Sequence, residues 1–447
     1  MIEIIRAIGA FVVALQGTPA ADGAPLTLDQ AITLAENHAF AVRIQQSVVE
    51  KNRQKINESK ATLGPDLSLG GTYLRYDREV TASFGPGTEP VVIQPIDSKT
   101  ANATLTLPLD IAGNRVRLLH ASEASKRSSS QTLKATYNDT RLNVRQAYFA
   151  VLRAKALIDV DEKALADAKG RLDQGQKQFD QQQVARLDVT RYQAQVAQAT
   201  SDLIAAKDNL TLANYAFNYV LARPIELPVA LADISDLPSL DSAEDVLVKT
   251  AQAKRPEILA SIENLRALGL ITRATESGMN PSLSLQVQYQ RTIDPQGFSA
   301  VPGETTGTLM LNIPVFDSGS TRAKVKEARQ DEVQAKLNFE QTRLLISQDV
   351  RNAVANLGSA KARLDSAIQQ VKLSEEVFRL AKVRQDAGAG TYYEVIDAES
   401  QLTQARNGEV SARYDYLTSY SQLQRAVGAD DIAAAVADYS KAPKGGK

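Results

Sequence analysis

Residues 189–220 read VTRYQAQVAQATSDLIAAKDNLTLANYAFNYV. Val189, Tyr192, Val196, Ala199, Leu203, Ala206, Leu210, Ala213, Phe217 and Val220 follow one another at alternating steps of three and four, and all are apolar. A sustained seven-residue repeat keeps one seam of a helix turned toward a partner helix, because 3.5 residues per turn holds the seam in line. The many alanines in the seam permit close helix approach. A second stretch has the same spacing: Val395, Ala398, Leu402, Ala405, Glu409, Ala412, Tyr416, Ser419, Leu423 and Ala426. The residue preceding each seam position forms a polar line. In the second stretch it is Glu394, Asp397, Gln401, Gln404, Gly408, Ser411 and Asp415; in the first it is Asp188, Arg191, Gln195, Gln198, Asp202, Ala205 and Asn209. Such a line is either a solvated helix face or the lining of a water-filled channel.

The two stretches belong to a duplication. Val144-Arg145-Gln146-Ala147 recurs 206 residues later as Val350-Arg351-Asn352-Ala353, and Leu105-Thr106-Leu107-Pro108 recurs as Leu311-Asn312-Ile313-Pro314. Pro65 and Pro281 match at an offset of 216, so the first copy carries about ten extra residues between its strands. The copies span 26–222 and 243–428, with a linker at 223–242 that holds Pro224, Pro228 and Pro238. Each copy is expected to run helix, strand, strand, long helix, long helix. The tail at 429–447 is rich in Ala, Lys and Gly and reads as disordered.

The strands are read from alternation. Leu283, Leu285, Val287 and Tyr289 alternate with Ser284, Gln286, Gln288 and Gln290; Leu309, Leu311, Ile313 and Val315 alternate with Thr308, Met310, Asn312 and Pro314; and Ala101, Ala103, Leu105, Leu107 and Leu109 form a third set. Leu67–Tyr76 is a noisier fourth, interrupted by Gly70 and Gly71. From Asn114 to about Asp180 and from Ser320 to about Asp386 no proline intervenes, which allows rods of about 100 Å at 1.5 Å per residue.

The 447 residues carry 51 Lys and Arg against 52 Asp and Glu, which argues against a general nucleic-acid binder. Without cysteine, and with only His38 and His120, thiolate metal sites and common nucleophile–base pairs are not available. No metal site, cofactor or catalytic group is expected. Residues 1–20 read as a secretory signal, with Arg6 before the apolar run Ala7–Leu15 and Thr18-Pro19-Ala20-Ala21 after it. No stretch approaches the ~18 apolar residues of a membrane helix. If the chain crosses a membrane it does so with strands, and four strands cannot close a barrel: the smallest membrane barrels have about eight. Tyr73, Tyr76, Phe84, Tyr289 and Phe298 are the candidates for an aromatic girdle.

Three groups of residues resemble the TolC-like outer-membrane efflux family. They are Leu107-Pro108-Leu109-Asp110 with Gly113; Ile313-Pro314-Val315-Phe316-Asp317-Ser318-Gly319 with Arg322; and Gly388 followed by Thr391-Tyr392-Tyr393-Glu394-Val395-Ile396-Asp397-Ala398. The closing Ala412-Arg413-Tyr414-Asp415-Tyr416 is similar to the family too. The resemblance covers about 26–428. It implies a mainly α fold with β, a homotrimer whose twelve-stranded barrel lies in outer-membrane lipid and continues into a long helical barrel in the periplasm. It implies a passive exit duct working with a periplasmic adaptor and an inner-membrane transporter, in efflux or type I secretion from a Gram-negative cell. It also implies a channel gate at Glu394 and Asp397, with Asp188, Gly388 and Gly390 as gate-hairpin contacts. Glu394 has a second reading, since Thr391-x-x-Glu394 is a capping box. Some family members place an arginine where Gly390 stands and a tyrosine where Gln385 stands, and this chain lacks that latch. The alternative function is a periplasmic adaptor or coiled-coil scaffold.

Overall fold

The computed structural model describes residues 25–234, 236–240, 242–293, 295 and 303–441. The expected signal segment and Phe298 lie outside them. In chain order the elements are α1 (Leu28–His38), α2 (Phe40–Ala61), β1 (Asp66–Arg75), β2 (Val80–Ala82), β3 (Val91–Gln94), β4 (Asp97–Leu109), α3 (Asn114–Asp180) and α4 (Arg186–Val220). There follow α5 (Glu244–Lys254), α6 (Pro256–Glu276), β5 (Ser282–Ile293), β6 (Gly303–Asn312), α7 (Ser320–Asp386), α8 (Tyr392–Val427) and α9 (Ile432–Lys441). The opening helix of each copy is in two pieces. Pro256 breaks the second at Arg255, because the residue before a proline is pushed out of the helical region. Both rods, α3 and α7, have 67 residues.

Two compact units emerge, one within Met1–Arg43, Tyr137–Val246 and Val350–Lys447, the other within Ile44–Thr136 and Leu247–Asp349. The second holds a four-stranded antiparallel sheet in the order β1-β4-β5-β6. Its register places polar residues in rows across one face. One row is Asp66, Thr106, Gln286 and Thr308; the next is Ser68, Thr104, Gln288 and Thr306. The other face is apolar along Leu67, Leu105 and Val287, along Leu107, Leu285 and Leu309, and along Leu109, Leu283 and Leu311. A half-polar, half-apolar sheet follows directly from the period of two. Both faces stay open: Leu67, Leu69, Leu309 and Leu311 are all more than half exposed.

The expectation of only four strands is corrected. The extra residues of the first copy form a short second hairpin, β2 with β3. β6 also ends at Asn312, so Ile313 and Val315 lie beyond it, where Pro314 cannot donate to a ladder.

The strand-to-rod junctions, each with a proline, an aspartate and a glycine in that order, have a local cause. The Asp110 carboxylate accepts the Val116 N–H at 2.9 Å, and Asp317 accepts the N–H groups of Gly319 at 3.0 Å and Thr321 at 2.6 Å. Each aspartate satisfies free donors at the start of a rod. Bonds from Thr321 hold the Asp317 carboxyl below the usual carboxylate range. Gly113 and Gly319 supply the positive φ of the turn, at 66° and 84°.

In the first unit the two predicted seams face inward. Val189, Tyr192, Leu203, Ala206 and Phe217 of α4 are buried, as are Val395, Ala398, Leu402, Ala405, Ala412 and Leu423 of α8. The linker is tied to this unit. Tyr148 Oη donates to the Leu26 carbonyl at 2.9 Å and to the Ala232 carbonyl at 2.6 Å, and the Tyr416 hydroxyl reaches Pro238 O. The tail was expected to be disordered, yet Ile432–Lys441 is helical. Asp431 accepts the Ala434 N–H at 2.9 Å to start it, and Ile432 and Ala435 are buried.

Asn218 is fully buried at the end of α4, and its amide donates to the carbonyls of Ile225 at 2.9 Å and Leu227 at 2.8 Å. Asn218→Leu strands both carbonyls. It is expected to cost about 2–6 kcal/mol, at ~1–3 per orphaned group, read as a lowered thermal midpoint of the detergent-solubilised protein.

Candidate gate and lumen face

Both helical hairpins turn in the same way, with unequal chemistry. At the α7–α8 tip the Ala389 N–H reaches Arg384 O and the Gly388 N–H reaches Gln385 O, both at 2.9 Å, with Gly388 at φ 71°. This is a left-handed helix stop of the Schellman type. Thr391 then caps α8 by accepting the Glu394 N–H at 3.3 Å. At the α3–α4 tip the Gln183 N–H reaches Gln178 O and the Gln182 N–H reaches Phe179 O, both at 2.8 Å. Here Gln182 holds the positive φ, 62°, and Ala185 stands at the cap with no side chain to offer. Gly390 does not have positive φ. It is a site of close approach, where a Cβ would come within 3.0 Å of the Gln385 backbone nitrogen and of Arg384 Cβ. Of the two glycines, Gly388 alone supplies the left-handed turn.

The three acidic candidates sit at the helix starts with different partners. Glu394 lies 3.6 Å from Arg384, across its own turn. Asp397 is exposed, and its carboxylate accepts a bond from Gln401 at 2.8 Å. Asp188 has Arg191 at 3.7 Å, one turn along α4, and not Arg186. Among the described residues no hydrogen bond or ion pair joins Asp188 to Glu394 or Asp397.

The residues that connect the two hairpins lie deeper, and sequence reading missed them. Glu399 is only 6 % exposed, forms an ion pair with Arg171 of α3, and accepts a bond from Gln195 of α4 at 2.9 Å. The Arg171 guanidinium also sits 5.5 Å from the centre of the Phe378 ring on α7. Nearer the tips the Tyr192 and Tyr392 rings meet edge to face at 6.1 Å, and the Tyr392 hydroxyl donates to Gln178 at 3.1 Å. Gly175 leaves room for the Tyr192 ring, which a Cβ there would strike at 2.7 Å. Gln385 hydrogen-bonds the Tyr192 hydroxyl, and burial pushes that hydroxyl up to about 12. Glu399 directly follows the seam residue Ala398, and no seam was read on α3 to place Arg171. The only available signal was a carboxylate and a guanidinium on facing helices.

Above these contacts α3, α4 and α8 enclose an open groove of about 1400 Å³. The polar line of α4 lines it through Arg191, Gln195, Gln198, Asp202, Ala205 and Asn209, and α8 adds Gln404, Ser411 and Asp415. Glu394, Asp397, Gln401 and Gly408 are not among its lining residues. Asp161 also lines the groove, with Asn407 donating to it at 3.3 Å; burial raises its pKa. The groove is mixed in character, with Phe149, Leu157 and several alanines set among these polar side chains. Among the described residues no group of three His, Cys, Asp or Glu is placed to hold a metal ion, and no helix is long and apolar enough to cross a membrane.

A two-faced sheet, paired helical hairpins and a polar groove along them define an outer-membrane channel. The chain belongs to the outer membrane efflux protein family, which matches residues 31–221 and 247–429. It is 26 % identical to the outer membrane protein TolC of Vibrio cholerae, over 69 % of this chain and 72 % of that one. It is 23 % identical to the cobalt-zinc-cadmium resistance protein CzcC of Cupriavidus metallidurans, over 86 % and 85 %. Among solved structures, one of CusC superposes with a TM-score of 0.78 at 20 % identity, covering 93 % of this chain and 96 % of that one. The protein is an outer-membrane efflux channel rather than the periplasmic adaptor that was the alternative.

The tip chemistry predicts that Gln182→Gly combined with Ala185→Thr stabilises the first hairpin. Relief of the left-handed strain is worth about 1–2 kcal/mol and the new cap about 1 kcal/mol. Slower amide hydrogen exchange at residues 178–190, with no change at the second tip, is the expected reading.

Asp161 gives a pH dependence. Its folded pKa is raised, so the folded state holds the proton more readily than the unfolded one. Its contribution therefore weakens stability progressively as pH rises from the ordinary aspartate range through the folded pKa. Asp161→Asn is expected to raise the thermal midpoint at pH 7 and to leave it unchanged near pH 3.

Proposed function

We propose that three copies close one twelve-stranded barrel in the outer membrane and form a passive exit duct. In this reading it receives its solutes from a periplasmic adaptor and an inner-membrane transporter. The observation that carries it is the sheet itself. β1 and β6 each have a neighbour on one side only, and the face that suits lipid is apolar and exposed. In hydrocarbon each unpaired backbone group costs several kcal/mol, so the edges need partners, and sister subunits supply identical ones. The polar rows then face a common lumen. Tyr73, Tyr76, Phe84 and Tyr289, all exposed, are available as interfacial aromatics.

At the other end of the duct, three copies bring six carboxylates of Glu394 and Asp397 near one axis as a gate. Such a ring attracts cations. Glu394 is partly offset by Arg384 and also anchors the start of α8 through its own N–H. Asp397 has no cation beside it among the described residues and so carries more of the ring's field. Asp188, Gly388 and Gly390 act as hairpin contacts that set where the ring sits. The Tyr192–Gln385 and Arg171–Glu399 pairs support this reading, since they tie the hairpins together within one protomer without the family arginine.

In planar bilayers, Glu394→Ala with Asp397→Ala is expected to weaken divalent-cation block of single-channel current at least tenfold, and Asp397→Ala alone to account for most of it. Unchanged block in a conducting double variant would remove the gate assignment. A protein that yields no conductance and stays monomeric by light scattering in detergent would remove the duct itself.

A further inference from the structure

The apolar face of the sheet ends in positive charge at one edge only. On β4 the outward residues run Leu109, Leu107, Leu105, Ala103 and Ala101, and then Lys99. On β5 they run Leu283, Leu285, Val287 and Tyr289, and then Arg291. Lys99 is opposite Ile293 and Arg291 is opposite Ala101, so the two cations are diagonal neighbours on one face, about 7–8 Å apart at the backbone. Both are exposed. Among the described residues neither has an ion-pair partner. The one carboxylate on the same face at that level, Asp97, accepts the Tyr73 hydroxyl at 2.6 Å and lies 3.9 Å from Arg75 on the far side of β4. No Lys or Arg stands in the strands at the opposite end of this face, where α2, α3 and α7 join the sheet.

The height of the charges matters as much as their sign. Ten residues separate Leu109 from Lys99. At about 3.3 Å per residue and a strand tilt near 40° that is roughly 25 Å along the membrane normal, the height of the lipid-facing band of an outer-membrane barrel. Lys99 and Arg291 therefore stand where acyl chains give way to headgroups, with Tyr73 and Tyr289 beside them. The helices join at the opposite end, which is periplasmic, so the charged end belongs to the outer leaflet. Phosphate is the group that a guanidinium and an ammonium at this depth would bind, through charge-assisted hydrogen bonds. Just below them on the same face, Ala101, Ala103 and Tyr289 offer contact to the acyl chains.

The geometry points to a lipid-docking surface on the barrel wall, in which Lys99 and Arg291 grip the phosphate of an outer-leaflet lipid headgroup. This rests on the barrel reading above and adds the chemistry of the lipid and the residues that select it. Each cation near a membrane surface is worth about a factor of five, so the pair confers a preference of roughly thirtyfold for a phosphorylated over an otherwise identical neutral lipid.

The test uses the full-length protein in detergent and native mass spectrometry, with bisphosphorylated lipid A and its dephosphorylated form as probes. The wild type is expected to prefer the phosphorylated lipid by roughly thirtyfold. K99Q/R291Q is expected to bind both lipids alike, at the wild-type level for the dephosphorylated one. K99R/R291K, which keeps both charges, is expected to keep the preference. If the double variant does not assemble, K99Q and R291Q are read singly, each losing about fivefold. A wild type that binds the two lipids equally overturns the proposal and leaves the barrel intact, and so does a preference that survives charge removal or vanishes in the charge-retaining pair. Failure of the wild type to retain either lipid overturns the barrel reading.

Discussion

A strand edge cannot be left bare in hydrocarbon. The peptide groups on the outer edges of β1 and β6 have no partners within the sheet, and water is not there to replace them. In the proposed trimer this constraint accounts for the sister copies, for polar rows facing a common lumen, and for the aromatic and charged residues at the margin of the apolar band. It also explains why so exposed a set of leucines is no liability. Leu67, Leu69, Leu309 and Leu311 would form an aggregation-prone patch in water, whereas against acyl chains they are at rest.

The helical part solves a different problem. Long rods must adhere along their length without collapsing onto a dry core, because a polar path has to stay open beside them. The seams of α4 and α8 set alanines among larger apolar side chains, which lets the rods approach closely at intervals, and a polar line adjoins them along the groove. Into this apolar seam the fold admits a charged pair. Arg171 and Glu399 are both removed from most solvent, and such a pair adds little net stability over an apolar one, while loss of either partner costs about 3–5 kcal/mol. Its value is positional, since a buried pair tolerates little change in the spacing of the hairpins it joins.

The periodic parts of the fold were legible in the sequence. Alternation in β4, β5 and β6 and the seven-residue repeats in α4 and α8 reveal themselves because side-chain period and burial are coupled there. The duplication fixed where α3 and α7 begin, since the aspartates at 110 and 317 cap them from equivalent loops. What stayed hidden depends on contacts distant in sequence. Nothing in the neighbourhood of Glu399 indicates that Arg171 meets it. Gly390 reads like a turn residue, while its real constraint is the backbone packed against it. The short hairpin of β2 and β3 has too few residues to display a period. Helix α9 was missed because its composition suggests a tail, whereas two buried side chains and an aspartate cap are enough to order it.

Among the described residues that short hairpin has no counterpart in the second copy. It rises from the end of the sheet remote from the helices, and its tip, with Gly85 and Gly87, touches nothing that a side chain would displace. A foreign peptide spliced between Gly85 and Gly87 would therefore displace no neighbouring atom, on a stalk that asks nothing of the strands beneath it.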